Sequence, residues 1–323
     1  MPRLLCRALM AVLVLIAALE AAQAQAYPNR PIQLLVGFPP GGAADLTARL
    51  VAQSLSVRLG QPIVIENRPG AGSNLAGDLA AKAAPDGYTL LHTPENLLVI
   101  NPHAYAKLPF DPLKDLVPIA SLVSNQYALA VNPSVQANGL REFVALAQKT
   151  SPPLFYASVG NSSPHHLMME TFKEHAKFDA THVPYRGGAP AANAMLAGDV
   201  SAMFGAASIV PMIQSGRFRG LAVSGKARWK PLPDLPTINE VFPGYEMTVW
   251  HAWFAPAGVP QPILERLRRE INEVLREPEV VERLSTSGSG DAYITTPDEF
   301  MARIRADYDK LGKVIKSLGL RIE

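Results

Sequence analysis

Apolar runs broken by proline- and glycine-rich turns divide this chain into repeated strand, loop and helix units. Ile32 to Phe38 is an apolar run of strand length, halted by Pro39-Pro40-Gly41-Gly42, after which Leu46, Leu50 and Leu55 recur at helical spacing. The same order returns with a strand at Ile63 to Glu66, a loop at Pro69-Gly70-Ala71-Gly72, a helix over Asn74 to Ala83 and a third strand at Tyr88 to His92. Strands alternating with helices predict a largely parallel sheet covered on both faces.

From Leu116 the pattern changes, and a second α/β unit is expected there, with a strand at Tyr127 to Val131 and a helix over Leu140 to Lys149. Strands at Phe155 to Val159 and Thr181 to Tyr185 each run into a small-residue loop and a helix, from His165 to His175 and up to Leu196. Val200 to Phe204 and Gly220 to Ser224 supply further strands. After an extended stretch at Glu246 to Pro256 come three amphipathic helices, Pro262 to Arg276, Glu279 to Ser285 and Pro297 to Leu318, expected to pack back on the first unit. The chain is then expected to cross between two lobes near residue 125 and again near 250, and two crossings make a hinge.

At the N-terminus Arg3 and Arg7 precede an apolar stretch, Ala8 to Leu19, and a small-residue run ending at Ala26. That is the order of a secretory signal peptide, expected to be cleaved after Ala24 or Ala26. The stretch is shorter than the roughly 20 apolar residues of a membrane-spanning helix. Cys6, the one cysteine, lies inside this leader, which excludes thiol catalysis and cysteine-ligated metal from the chain that follows. Of 30 Lys and Arg and 28 Asp and Glu, the leader removes Arg3, Arg7 and Glu20, leaving 28 against 27. Near-neutrality with no basic cluster argues against a nucleic-acid partner.

Candidate chemistry concentrates in three loops that follow a strand and open a helix: Phe38 to Asp45, Gly160 to His165 and Arg186 to Ala191. In a parallel sheet such loops share the carboxyl edge, where ligands bind. Helix N-termini there receive an anion through unpaired backbone N–H groups. Any one of these loops is also an ordinary turn, and only the three together carry weight. Gly41-Gly42 lacks the Lys-Ser/Thr of a phosphate loop, and neither a Gly-x-Ser-x-Gly elbow nor His-Glu-x-x-His occurs. No cofactor or metal and no catalytic group is therefore expected. His166 and Glu170, one helical turn apart, are expected to be a solvated face or a polar packing pair rather than metal ligands. His165 has a better claim to the cleft, with capping or packing as its alternative. Trp229, Trp250 and Trp253 are expected to fill the core between lobes.

The motifs Tyr27-Pro28-Asn29-Arg30-Pro31-Ile32, Phe38-Pro39-Pro40-Gly41-Gly42, Glu66-Asn67-Arg68-Pro69-Gly70-Ala71-Gly72 and Pro85-Asp86-Gly87-Tyr88 stand in a distinctive order. Val183-Pro184-Tyr185-Arg186-Gly187, Leu235-Pro236-Thr237 and Ala255-Pro256-Ala257-Gly258 continue it. With them the chain resembles the Bug family of extracytoplasmic receptors, the substrate-binding components of tripartite tricarboxylate transporters, over essentially everything after the leader. The resemblance implies a two-lobed α/β periplasmic-binding-protein (Venus flytrap) fold, type II-like, each lobe a mixed sheet flanked by helices. Lobe 1 would comprise 27–124 plus 251–323 and lobe 2 125–250. It further implies a periplasmic protein that binds a small carboxylate and hands it to membrane permease subunits, and a monomer is expected because one ligand per chain needs no partner subunit. A periplasmic sensor feeding a signalling partner is the alternative, and an enzyme the weakest.

Carried over by motif, the resemblance points to Gly41, Gly42, Ala43 and Asp45, to Ser158, Gly160, Asn161, Ser162 and Ser163, and to Tyr185, Gly187, Gly188 and Ala189 as ligand-binding residues. Glu95, His165 and Ala206 complete the candidate set. Two departures stand out: Glu95 occupies a stretch where the family usually has small residues, and Gly205 a position where it often has Asp. If Glu95 faced the cleft, it would require a ligand carrying a donor group at that end. The alternative is that Glu95 points to solvent.

Overall fold

A computed structural model describes residues 27–161, 163–287 and 289–321. The expected leader, residues 1–26, lies outside the described residues. In chain order the elements are β1 (Ile32–Val36), α1 (Ala43–Leu59), β2 (Ile63–Asn67), α2 (Asn74–Ala81), β3 (Thr89–Pro94), α3 (Asn96–Val99), α4 (Asn101–Ala104) and β4 (Leu116–Asn125). Next come β5 (Ala128–Val131), α5 (Leu140–Lys149), β6 (Leu154–Ser158), α6 (Pro164–Ala176), β7 (Ala180–Pro184), α7 (Gly188–Ala197), β8 (Ala202–Gly205), α8 (Val210–Gln214) and β9 (Arg219–Val223). The chain ends with α9 (Ile238–Val241), β10 (Val249–Pro256), α10 (Gln261–Val274), α11 (Pro278–Ser287), β11 (Asp291–Ala292) and α12 (Pro297–Ser317).

Two mixed sheets organise these elements, one of six strands in the order β11-β4-β10-β3-β1-β2 and one of five in the order β7-β6-β8-β5-β9. In the first sheet β1 lies parallel to β2 and β3, while β10 runs antiparallel to both β3 and β4. Every residue of β10 is buried, as a strand flanked on both edges and covered on both faces must be. The amphipathic α10 buries Ile263, Leu264, Leu267, Ile271 and Val274, and α12 opens on a capping box between Thr296 and Glu299.

The pattern changes at Leu116, and β4 there belongs to the first sheet, paired along its length with β10. A strand's own residues do not say which partner it will find. The chain leaves the first sheet at Asn125 and returns at Val249, and these two residues are themselves paired. Both crossings therefore run side by side, the arrangement of a hinge. α12 does more than cover the first lobe, because its Lys310 Nζ reaches the Glu246 carbonyl at 3.5 Å and Ser317 donates to Glu174 at 3.4 Å.

Candidate functional site

Three helices of the two lobes start at one cleft. Its walls include Gly42, Ala43 and Ala44 at the start of α1, Pro164 and His165 at the start of α6, and Gly187 to Pro190 at the start of α7. Each helix leaves its first N–H groups without intrahelical partners, so three partial positive charges converge on the same space. Phe38, Pro39, Pro40, Pro94 and Val159 are its apolar lining, and Tyr127, Ser208 and His251 line it too. The space amounts to about 670 Å³, open mouth included. Among the residues lining it, Arg186 is the one with a formal charge, and none is acidic.

The loop after β1 is held from below. Asp45, 2 % exposed, accepts from the Gly41 N–H at 2.9 Å, from Arg49 Nε at 2.9 Å and from Asn67 Nδ2 at 2.9 Å. Burial alone would raise its pKa, but these hydrogen bonds, that from Arg49 foremost, hold it below the ordinary aspartate value. Gly41 sits at φ +83°, a conformation that glycine adopts without steric cost. Asp45 is thus an internal anion that folds the loop, and Gly42 and Ala43 are what the loop presents.

A second compartment, about 1390 Å³ with its open mouth, adjoins the first and shares Phe38, Pro39, Val159, Arg186 and Gly187 with it. Gly160, Asn161, Ser163 and Tyr185 line it from one side, and Gly70 to Ser73 from the other. The two lobes nearly touch between the compartments: a Cβ added at Gly187 would lie 3.4 Å from Pro39 Cγ. Ser158 serves the loop itself, its hydroxyl donating to the Gly160 carbonyl at 3.0 Å and lying 2.6 Å from His182 Nε2. Ser163 caps α6, accepting from the His166 N–H at 3.4 Å.

Of the sequence-predicted residues, Gly42, Ala43, His165, Gly187, Gly188, Ala189 and Ala206 line the first compartment. Gly160, Asn161, Ser163, Tyr185 and again Gly187 line the second. Gly41, Asp45 and Ser158 line neither compartment, Gly41 being exposed and the other two buried, and Ser162 lies outside the described residues.

Glu95 needs correction, since it faces neither the cleft nor open solvent. It lines a separate pocket with Arg303, Asp307 and Lys310, is 2 % exposed, and accepts from the Trp250 N–H at 3.3 Å. Burial first, and then the nearby Asp307 carboxylate, push its pKa up to about 8. The donor-bearing ligand inferred from Glu95 therefore loses its basis. Gly205 admits no side chain, because a Cβ there would come within 2.5 Å of Ile209 Cδ1.

His251, Tyr127 and Ser208 also line the cleft and were not foreseen, while Arg186 was foreseen only as the start of its loop. The pairing of His251 with Pro94 across β10 and β3 places both at the cleft, a relation set by sheet register and absent from any local motif. The pair of His166 and Glu170 is a packing feature: His166 stacks on His182 at 3.9 Å, while Glu170 takes Tyr156 Oη at 2.5 Å and Lys173 Nζ at 2.9 Å. The three tryptophans are buried, and none lines the cleft.

A family model described as "Tripartite tricarboxylate transporter family receptor" matches residues 47–320. A UPF0065 protein of Bordetella bronchiseptica is 35 % identical over 306 residues, covering 94 % of this chain and 91 % of its own. Protein BugT of Bordetella pertussis is 33 % identical over 303 residues, covering 93 % of each. Among solved structures, an R. palustris protein with adipate superposes with TM-score 0.87 at 31 % identity, over 91 % of this chain and 98 % of that one. MatC from Rhodopseudomonas palustris with bound malate gives TM-score 0.83 at 29 % identity, over 90 % and 100 %.

Proposed function

The chain belongs to the tripartite tricarboxylate transporter receptor family, and from that premise we propose that it is a periplasmic receptor that closes its lobes on a small carboxylate and delivers it to membrane permease subunits. The observation that carries this reading is the convergence of the α1, α6 and α7 N-termini on a cleft lined by no acidic side chain. A carboxylate placed there accepts from the free N–H groups of Ala43 and Ala44 on one lobe and of Gly188 and Ala189 on the other. Each helix terminus contributes about 0.3 to 2 kcal/mol, so affinity comes from their sum in a closed, partly desolvated space. Because both lobes donate, the ligand favours the closed state over the open one, which is the differential interaction that closure requires. The closed surface is then what a permease recognises.

The lobe boundaries belong to the same proposal, with 27–124 and 251–323 forming one lobe and 125–250 the other. The protein acts as a monomer with one ligand per chain and performs no chemistry on it. Adipate and malate, the acids bound in the two related structures, are the first ligands to try.

Native mass spectrometry of freshly purified protein, followed by thermal-shift titration with adipate, malate and a wider acid panel, tests the reading. Expected is a stabilisation that grows with ligand concentration, reaching about 2.7 kcal/mol at a hundredfold excess over Kd. No shift with any carboxylate on folded protein would overturn it. N-terminal sequencing of the exported protein is expected to start at Gln25 or Tyr27, and an intact Met1 would refute the cleaved leader.

A further inference from the structure

Two histidines lining the cleft carry buried ring nitrogens without hydrogen-bond partners. His251 is 1 % exposed, and neither Nδ1 nor Nε2 has a hydrogen-bond partner. His165, across the cleft at the start of α6, likewise has an unpartnered, buried Nδ1. Buried polar atoms are nearly always satisfied, and leaving one unmade costs on the order of 1–3 kcal/mol. Unmatched nitrogens on two facing walls of one cavity are the signature of a site that a ligand completes.

The surroundings decide what that ligand presents. Tyr127, from the segment before β5, packs edge-on against His165 at 4.8 Å, and His92 of β3 packs edge-on against His251 at 5.3 Å. Glu95 lines a separate pocket, near enough to add to the rise that burial gives the Tyr127 pKa. Arg186 is the charged side chain at the mouth. No carboxylate lines the cleft, so an ammonium group on the ligand would meet no anionic acceptor while facing three helix N-termini. A second oxyanion meets donors instead.

We propose that His165 and His251 form a second oxyanion subsite, which receives the far carboxylate of a dicarboxylate ligand together with a proton from solvent. In the empty cleft burial keeps both rings neutral, His251 further disfavoured by His165 beside it. Each neutral ring turns one N–H to the carboxylate. The arriving negative charge stabilises an imidazolium, so one proton enters with the ligand over the pH range between the rings' empty and occupied pKa values. The apolar side walls formed by Phe38, Pro39 and Val159 accommodate the methylenes between the two carboxylates.

This subsite rests on the carboxylate-receptor reading, and the test separates the two. Calorimetry compares adipate with hexanoate and succinate with butyrate, at pH 6 in buffers of different ionisation enthalpy. The expected result is a preference of at least about tenfold for the dicarboxylate in one pair, the worth of hydrogen bonds to a charged group, with proton uptake confined to that dicarboxylate. His251→Phe keeps a ring in place without its nitrogens, and it should narrow the ratio to about twofold and abolish proton uptake while the monocarboxylate still binds. His165→Phe, at a helix start where a ring can still pack against Tyr127, removes the second pair of ring nitrogens, should act in the same direction and keeps the test decisive if His251→Phe does not fold. Equal wild-type affinity within both pairs, or a preference that survives both substitutions, would overturn the subsite and leave the receptor standing. Failure of the wild type to bind any of the four acids would remove both.

Discussion

Two carboxylates of the first lobe, each 2 % exposed, have pKa values shifted in opposite directions. Asp45, beneath the loop after β1, has a lowered pKa, whereas Glu95, behind the hinge strand β10, is raised to about 8. Desolvation pushes both upward and is the largest influence on each. They differ in depth, Glu95 lying deeper, and in partners: Asp45 collects a guanidinium, an amide and a backbone N–H, while Glu95 accepts from one backbone N–H and has Asp307 nearby, only partly offset by Arg303. Burial sets the cost of a charge, and hydrogen-bond donors decide whether it is met. Neither acid lines the cleft, so neither directly opposes an anionic ligand there.

The sharpest way to break this contrast is Asp45→Ala. It strands the Gly41 N–H and the Asn67 amide, and should destabilise the protein by about 3 kcal/mol in urea melts at pH 7. It should also weaken carboxylate binding, because the loop that presents Ala43 loses its anchor. A loss below about 1 kcal/mol would show that the loop is held by other contacts.

Next in size is Glu95→Gln, whose amide oxygen can still accept from Trp250. The folded pKa of Glu95 lies above the unfolded one, so the folded state holds a proton that the unfolded chain has released. That costs nothing below about pH 4.5, and stability falls as pH rises from there through about 8. The variant should therefore be more stable than wild type by about 1–3 kcal/mol at pH 8.5 and unchanged near pH 4, as read from melts across that range. Asp45 carries the opposite sign: its contribution is present above its unfolded value of about 3.8 and is lost as pH falls through the lower folded value. Equal stabilities at pH 8.5 would mean that Glu95 is ionised and paired with Arg303.

Arg49→Ala should have the smallest effect, below about 1 kcal/mol, because its side chain is half exposed and solvent screens the pair. The remaining Gly41 and Asn67 donors then keep Asp45 ionised. If Arg49→Ala matched Asp45→Ala in cost, the guanidinium rather than the loop N–H would be what holds the anion.

Legibility in the sequence followed the range of the interactions. The helices α1, α6, α7 and α10 to α12 were readable because their apolar spacing and the prolines and glycines before them are local. The three anion-facing loops were readable for the same reason, and Gly42, Ala43, Gly188 and Ala189 do line the cleft. Short helices such as α3 and α4 were not foreseen, since four residues carry too little periodicity to register. Asp45 and Glu95 were both placed near ligand because a sequence shows that an acid is present and not which way it points.

The sequence by itself determined the order of strands and helices, the two-lobed α/β class and the loops that open on helix N-termini. These depend on residues within a few positions of one another and on motifs long enough to mark a family. Strand pairing and lobe packing supplied the rest: that β4 pairs with β10, that Glu95 faces away from the cleft, and that His251 and His165 line the same one. Those facts are set by strand pairing and lobe packing between residues far apart in the chain, where the orientation of a side chain is fixed by its neighbours rather than by its own identity.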